Sequence, residues 1–298
     1  MPESPAVPAP QRSMAEPQTS TLEVPGATLT YDVRTADEAV DPVPLLIIGS
    51  PMGAAGFGTL AGHFADRTVV TYDPRGVERS QRTDTGELTP AQHADDLHRL
   101  ITTLGGGPVD IVSSSGGSVN ALALVAQHPD EVRTLVAHEP PATSALPDRD
   151  PAMAYVEDLY QTYQQQGSGP AMAKFFRLVS HVGPFTEEMI NEPVDPAAFG
   201  LPTEDDGLRD DPLLGQNMRG CNGYEHDYNA LRSASTRIVP AVGVASAGTL
   251  CDRATRSIAE RLDLEVVEFP GDHGGFLGGE YGQTGEPDAF AARLREIL

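Results

Sequence analysis

The chain has 298 residues, 39% of them hydrophobic, enough to bury a large core in one α/β domain with an insertion or in two small domains. Its formal charge of −23, with Lys174 the only lysine, sets a surface that repels nucleic acid and anionic lipid, so neither is expected as a partner. Cys221 and Cys251 follow no metal-ligand spacing and read as free thiols in a reducing compartment.

In chain order, residues 1–20 (MPESPAVPAPQRSMAEPQTS) hold many Pro, Ser and Ala and few bulky apolar side chains. Such a segment predicts a disordered tail, and without an apolar h-region it is not a secretory signal. No apolar run reaches membrane-spanning length, so a cytoplasmic location is expected. TLEVPGATLTYDVRTA then reads as a hairpin around Pro25-Gly26. Six apolar runs follow: PLLIIGS (44–50), RTVVTYDPRG (67–76), PVDIVSSS (108–115), VRTLVAHEPP (132–141), TRIVPAVGVAS (236–246) and LEVVEFPGD (264–272). Continuous Val, Ile and Leu runs suit strands buried on both faces of a parallel sheet.

Helical patterns alternate with these strands. TPAQHADDLHRLITTLGGG has Thr89 as N-cap, Pro90 at the first helical position, one face of Ala94, Leu97, Leu100, Ile101 and Leu104, and Gly105 as its stop. GSVNALALVAQHPD follows the serines, and EPDAFAARLREIL closes the chain with Phe290, Leu294 and Ile297 on one face. The alternation predicts a doubly wound, mostly parallel sheet whose ligands sit beyond the carboxyl ends of the strands. It breaks over 142–235, where helix candidates at 151–166 and 170–182 precede a Pro/Asp/Gly-rich loop (192–215) and more helix near 216–233. The expected organisation is a tail (1–20), a core (21–141 and 236–298) and a helical lid (142–235) inserted between strands.

VDIVSSSGGSVNAL (109–122) holds the chemistry. A nucleophile on a strained strand-to-helix turn needs small residues two before and two after it. Ser115, with Ser113 before and Gly117 after, is the only serine of the cluster that passes both tests; the plainer reading is a polar turn without chemistry. GDHGGF (271–276) follows the last strand candidate and gives His273 room among glycines to meet a substrate. The order serine then histidine matches this elbow type. The GGG at 105–107 lacks a phosphate-binding lysine, and the eight histidines show no ligand spacing, so neither a cofactor nor a metal is expected.

With these motifs in place, the chain from about residue 20 onward resembles an α/β-hydrolase of the α/β-hydrolase fold superfamily. LLIIGSPMG resembles the oxyanion-loop region, YDPRGVERS the turn after the next strand, SSSGG the nucleophile elbow, HEPP the lid entry and GDHGGF the histidine loop. DPRG, SSGG, TLVAHEPP and FPGDHGGF together are similar to actinobacterial α/β-hydrolases of mostly undefined substrate. The family's acid usually follows the strand before the histidine strand, but GVASAGTL (243–250) contains no carboxylate. The resemblance to branches with a relocated acid makes Glu139 of HEPP the candidate, with Asp252 the alternative and His138 structural. It also implies oxyanion donors at the Gly116 N–H and in the GSPMG loop. There Pro51 lacks an N–H, which leaves Met52 as the candidate.

The resemblance implies a serine hydrolase that cleaves an ester, lactone or thioester of a small to medium, partly apolar molecule through an acyl-enzyme. Lid residues Tyr155, Phe175, Phe176, Tyr224 and Tyr228 are its candidate substrate contacts. Two other readings keep the fold: a non-hydrolytic cyclase, lyase or acyltransferase, and a ligand-binding protein on a degenerate scaffold.

Overall fold

The structure, a computed structural model, describes residues 15–298. Of the expected tail, residues 1–14 lie outside the described residues, whereas Gln18, Thr19 and Ser20 already belong to the first strand. Composition misled here because a hairpin partner orders an edge strand through its backbone. Strand β1 (Gln18–Val24) pairs antiparallel with β2 (Ala27–Arg34) along its whole length, and the turn uses Gly26 at φ 76°.

The remaining elements of the first half are β3 (Asp41–Ile48), α1 (Gly58–Gly62), β4 (Arg67–Asp73), the two-residue β5 (Gln81–Arg82), α2 (Pro90–Thr103), β6 (Val109–Ser114), α3 (Gly116–Gln127) and β7 (Val132–His138). Helices α4 (Arg149–Gln166), α5 (Ser168–Ser180), α6 (Glu188–Asn191), α7 (Met218–Gly223) and α8 (Tyr228–Ser233) then intervene. The chain returns to the sheet with β8 (Arg237–Gly243), α9 (Leu250–Leu262), β9 (Val267–Phe269) and α10 (Pro287–Ile297). The sheet order is β1-β2-β4-β3-β6-β7-β8-β9, with β5 on β2; every pair from β4-β3 to β8-β9 is parallel. Among the described residues no strand lies between β7 and β8, and no helix is long and apolar enough to cross a membrane.

Each face of the sheet carries its own apolar layer. One packs α2, α3 and α9 with the intervening helices, through residues such as Leu97, Leu122, Leu159 and Ile258; the other packs α1 and α10 through Phe57, Phe64, Phe290 and Leu294. Helix α3 is buried from Gly116 to Val125, so it is apolar almost all round rather than striped. Thr89 caps α2 by accepting from the Gln92 N–H, and Pro90 occupies the first turn, where its missing N–H costs nothing.

The DPRG motif after β4 is a frame for the loops above the sheet. Asp73, fully buried, accepts from the Ala54 N–H (2.8 Å) and from Arg79 Nε (2.6 Å), and Arg79 also grips Asp32 of β2. Arg75 makes a two-pronged bond to Asp96 of α2, at 2.7 and 2.5 Å, and reaches the Pro25 carbonyl of the hairpin turn at 3.2 Å. Both charges are out of water, and without Asp96 the Arg75 guanidinium would keep only the partly exposed Asp84, at 3.2 Å, as a charged partner. Asp96→Ala is expected to lower unfolding free energy by about 3–5 kcal/mol, read from urea denaturation. A loss near that of an exposed pair, about 1 kcal/mol or less, would show that the frame is not an anchor.

Candidate active site

Ser115 occupies the single residue between β6 and α3, with φ 56° and ψ −131°, a left-handed conformation that non-glycine residues adopt only when their surroundings impose it. Its N–H donates to the His138 carbonyl (3.0 Å), and its own carbonyl accepts from the Ser118 N–H (2.9 Å). Below the turn, Ser113 Oγ donates to Ser118 Oγ (3.0 Å), which donates to the His138 carbonyl (3.1 Å). A Cβ at Gly117 would stand 2.8 Å from Gly49 Cα, and one at Gly116 would stand 2.6 Å from the Ser50 carbonyl oxygen. The two glycines therefore let α3 start against the end of β3. As the first residue of α3, Gly116 has an N–H with no partner inside the helix.

Glu139 follows β7 directly, also with positive φ (51°), and its N–H donates to the Ala241 carbonyl of β8 at 2.9 Å. Its carboxylate is fully buried: Oε1 accepts from the Gly243 N–H (2.8 Å), and Oε2 lies 2.6 Å from His273 Nδ1. Burial opposes its charge, but the His273 hydrogen bond and charge, helped by Ser246, hold its pKa down at about 2. His273 stands in the loop between β9 and α10, which packs onto the end of β8; a Cβ at Gly243 would stand 2.7 Å from the Gly271 carbonyl oxygen. The His273 side chain is 46% exposed. Burial of its inner edge works against protonation, but the Cys251 sulfur and the Glu139 carboxylate outweigh it and raise the pKa well above the ordinary histidine value.

Ser115, Gly116, Glu139 and His273 thus border one cavity of about 440 Å³ at the carboxyl ends of β6, β7 and β9. A family profile described as the alpha/beta hydrolase fold matches residues 45–189. The chain is 31% identical over 286 residues to the uncharacterized hydrolase YraK of Bacillus subtilis (strain 168), covering 93% of this chain and 95% of that one. The chain is a hydrolase of the α/β-hydrolase family. Solved structures with the same fold include an enol-lactonase from Burkholderia xenovorans LB400 (TM-score 0.62, 17% identity, covering 94% of this chain and 99% of that one). Another is a thermophilic esterase from Thermogutta terrifontis (TM-score 0.65, 18% identity, covering 95% and 98%). The whole-length relative is a Bacillus protein, so the narrower actinobacterial grouping gains nothing from it.

The hydrolase brings some of the residues expected from its sequence to this cavity and leaves others away from it. Phe175 and Phe176 of α5 line it. Tyr155 does not: it is buried in the core, with its hydroxyl donating to the Lys174 carbonyl at 3.2 Å. Tyr224 and Tyr228 also lie outside it; they flank the ring of buried His226. Tyr155 follows the helical spacing of residues that pack the insertion against the body, and spacing alone does not separate core from cavity; Tyr224 lies between α7 and α8, and Tyr228 is the first residue of α8. Met52 is likewise outside the cavity, its side chain packed against Gly49 and Gly56. Ser50, immediately before Pro51, lines the cavity instead.

Asp252, the alternative acid, bonds within its own helix region: Oδ2 accepts from the Gly248 N–H and Oδ1 from Arg256, both at 2.8 Å. His138 is buried among Phe269, Phe276 and Phe290, with burial pushing its pKa down to about 4, so it is neutral. Sequence reasoning missed Ser50, Ser246, Asn217 and Cys251. For Ser50 there was a signal, because the residue before a proline keeps its N–H. Asn217, whose Nδ2 donates to Ser50 Oγ at 2.7 Å, comes from the insertion and had none.

The Glu139 carboxyl binds a proton more weakly in the folded chain than in the unfolded one. Its stabilisation is therefore complete above its ordinary pKa of 4.5 and disappears as pH falls toward about 2. The stability gap between wild type and Glu139→Gln, read by urea denaturation, should narrow across that window. A gap that stays constant there would mean that the carboxylate is not held as described.

Proposed function

We propose that this hydrolase cleaves an ester, lactone or thioester of a small to medium, partly apolar molecule through an acyl-enzyme on Ser115. One observation supports this above the others: a strained serine at a strand-to-helix turn and a buried carboxylate–histidine pair open onto the same cavity. Neutral His273 takes the Ser115 proton as its Oγ attacks the carbonyl carbon. Glu139 fixes the ring through Nδ1 and stabilises the imidazolium that forms. The tetrahedral oxyanion is held by the N–H groups of Gly116 and Ser50. His273 then protonates the leaving oxygen or sulfur, and a water activated by the same ring releases the acid.

The lining of Phe175, Phe176, Val179, Leu213 and Leu277 suits an apolar acyl or alcohol portion. We take Tyr155, Tyr224 and Tyr228 out of the substrate-binding set and replace Met52 by Ser50 as second oxyanion donor. With Ser50 as donor and Glu139 as acid, neither Pro51 nor the carboxylate-free segment 243–250 argues for a cyclase, lyase or acyltransferase. The reading needs no cofactor, takes a free small molecule rather than nucleic acid or membrane as partner, and fits a cytoplasmic setting.

Intact-mass labelling with a fluorophosphonate tests the nucleophile. One adduct is expected on wild type, none on Ser115→Ala or His273→Ala, and slowed labelling on Glu139→Gln. An unlabelled wild type would remove the hydrolytic mechanism. A second consequence concerns pH. The base works as neutral imidazole and its pKa is raised, so activated-ester hydrolysis should climb with pH through a value above 6.5. Glu139→Gln should move that limb to lower pH and reduce kcat by about 10²–10⁴-fold. A limb that does not move would break the link between the two residues.

A further inference from the structure

One buried group beside the site has no part in the mechanism above. Cys251, at the second position of α9, lines the cavity, with its sulfur within 4.8 Å of a His273 ring nitrogen. Its Sγ, a Glu139 carboxylate oxygen and a His273 ring nitrogen all lie within 4.8 Å of one another. We propose that Glu139, Cys251 and His273 form a binding site for a thiophilic divalent cation of the zinc type, and that its occupancy switches the hydrolase off. The switching-off rests on the Ser115 mechanism; the site itself does not.

The donor set is of the kind such ions select. Thiolate and imidazole favour zinc over magnesium or calcium, and three protein ligands with a fourth position open to solvent is a common zinc arrangement. Bonds of about 2.0–2.3 Å at tetrahedral angles put donors about 3.3–3.8 Å apart, so donors at the 4.8 Å limit would close by at most about 1.5 Å, while Glu139 Oε2 and His273 Nδ1, now 2.6 Å apart, would open by about 0.7 Å to admit the ion. Its members come from three separate elements: the end of β7, the first turn of α9 and the loop after β9. Glu139 is already fixed through the Gly243 N–H, which serves as outer support for a ligating carboxylate. The cavity supplies the entry path and the fourth position. On binding, the Cys251 thiol proton leaves to solvent, the ring coordinates through an unprotonated nitrogen, and the Glu139 oxygen turns from that ring to the ion. The imidazole then no longer serves as the base for Ser115.

A second His/Glu cluster exists, and its geometry is worse. His98, His128 and Glu131 also lie within 4.8 Å of one another, but the two rings stack face to face at 4.0 Å with 7° between their planes. Their in-plane lone pairs lie in near-parallel planes about 4.0 Å apart, so they do not meet at one point.

Titration of the full chain with Co²⁺ alone, followed by near-ultraviolet absorption, tests the site without reference to catalysis. Wild type and His98→Ala should develop a thiolate-to-cobalt charge-transfer band that saturates at one equivalent and is abolished by Zn²⁺. Cys251→Ser and Cys251→Ala should show none. In wild type, Zn²⁺ should also slow alkylation of Cys251, located by peptide mapping, at least tenfold. A missing wild-type band, a band that survives in the Cys251 variants, a band lost in His98→Ala, or unprotected Cys251 would each overturn the site. Zn²⁺ should slow fluorophosphonate labelling of Ser115 at least tenfold, and a chelator should restore it; labelling indifferent to Zn²⁺ would overturn the switch. A chain that never labels removes the Ser115 mechanism, and the switch with it, while the cobalt band still decides the site.

Discussion

The arrangement depends on one backbone constraint: at Ser115 the chain turns from a buried strand into a buried helix within a single residue. That turn has φ 56°, and the penalty is met by the packing of β6 and α3 on either side of it. The Ser115 N–H is tied to the His138 carbonyl at the end of the neighbouring strand. The first turn of α3 touches the end of β3 so closely that Gly117 has no room for a Cβ. The strain and the tight packing are two sides of the same geometry. They leave the Ser115 side chain and the Gly116 N–H facing the space beyond the strand ends.

The neighbouring strands then set the rest. In a parallel sheet the carboxyl ends of β6, β7 and β8 lie side by side, so an acid following β7 can reach a histidine that would otherwise be served from β8. Here the β8 end offers a donor rather than a charge, with the Gly243 N–H bonded to the Glu139 carboxylate. A buried carboxylate with a hydrogen bond to each oxygen is held in one orientation and kept ionised, which is what an acid supporting an imidazolium needs. The arrangement also leaves space at the start of α9, and Cys251 fills it beside the same histidine.

The DPRG segment matters for a different reason. Asp73 holds the Ala54 N–H on one side and Arg79 on the other, so the loop carrying Ser50 is braced from β4 rather than by its own sequence. Asn217 from the helical insertion holds the Ser50 hydroxyl from above. The loop is therefore fixed jointly by the sheet and by the insertion, which couples the shape of the cavity to the packing of α5 and α7 over it.

By itself the sequence determined the alternation of strands and helices, because continuous apolar runs and capped amphipathic segments have distinct periodicities. It also put Ser115 at a strand-to-helix turn, because a strained turn constrains its immediate neighbours, and His273 in a loop after a strand, because a glycine-rich loop there is a local pattern. The fold placed these two beside Glu139 on one cavity. What local patterns do not encode is which side of a helix faces the cavity and which loop N–H points into it. Tyr155 and Phe175 stand in similar helical stripes, yet one is core and the other lines the cavity; Met52 packs inward while Ser50 faces the site. Gln18–Ser20 became strand through the backbone of β2, which no side-chain composition records. The meeting of residues 139, 251 and 273 was likewise decided only by tertiary structure, since strand order and helix docking, not spacing along the chain, bring their donor atoms together.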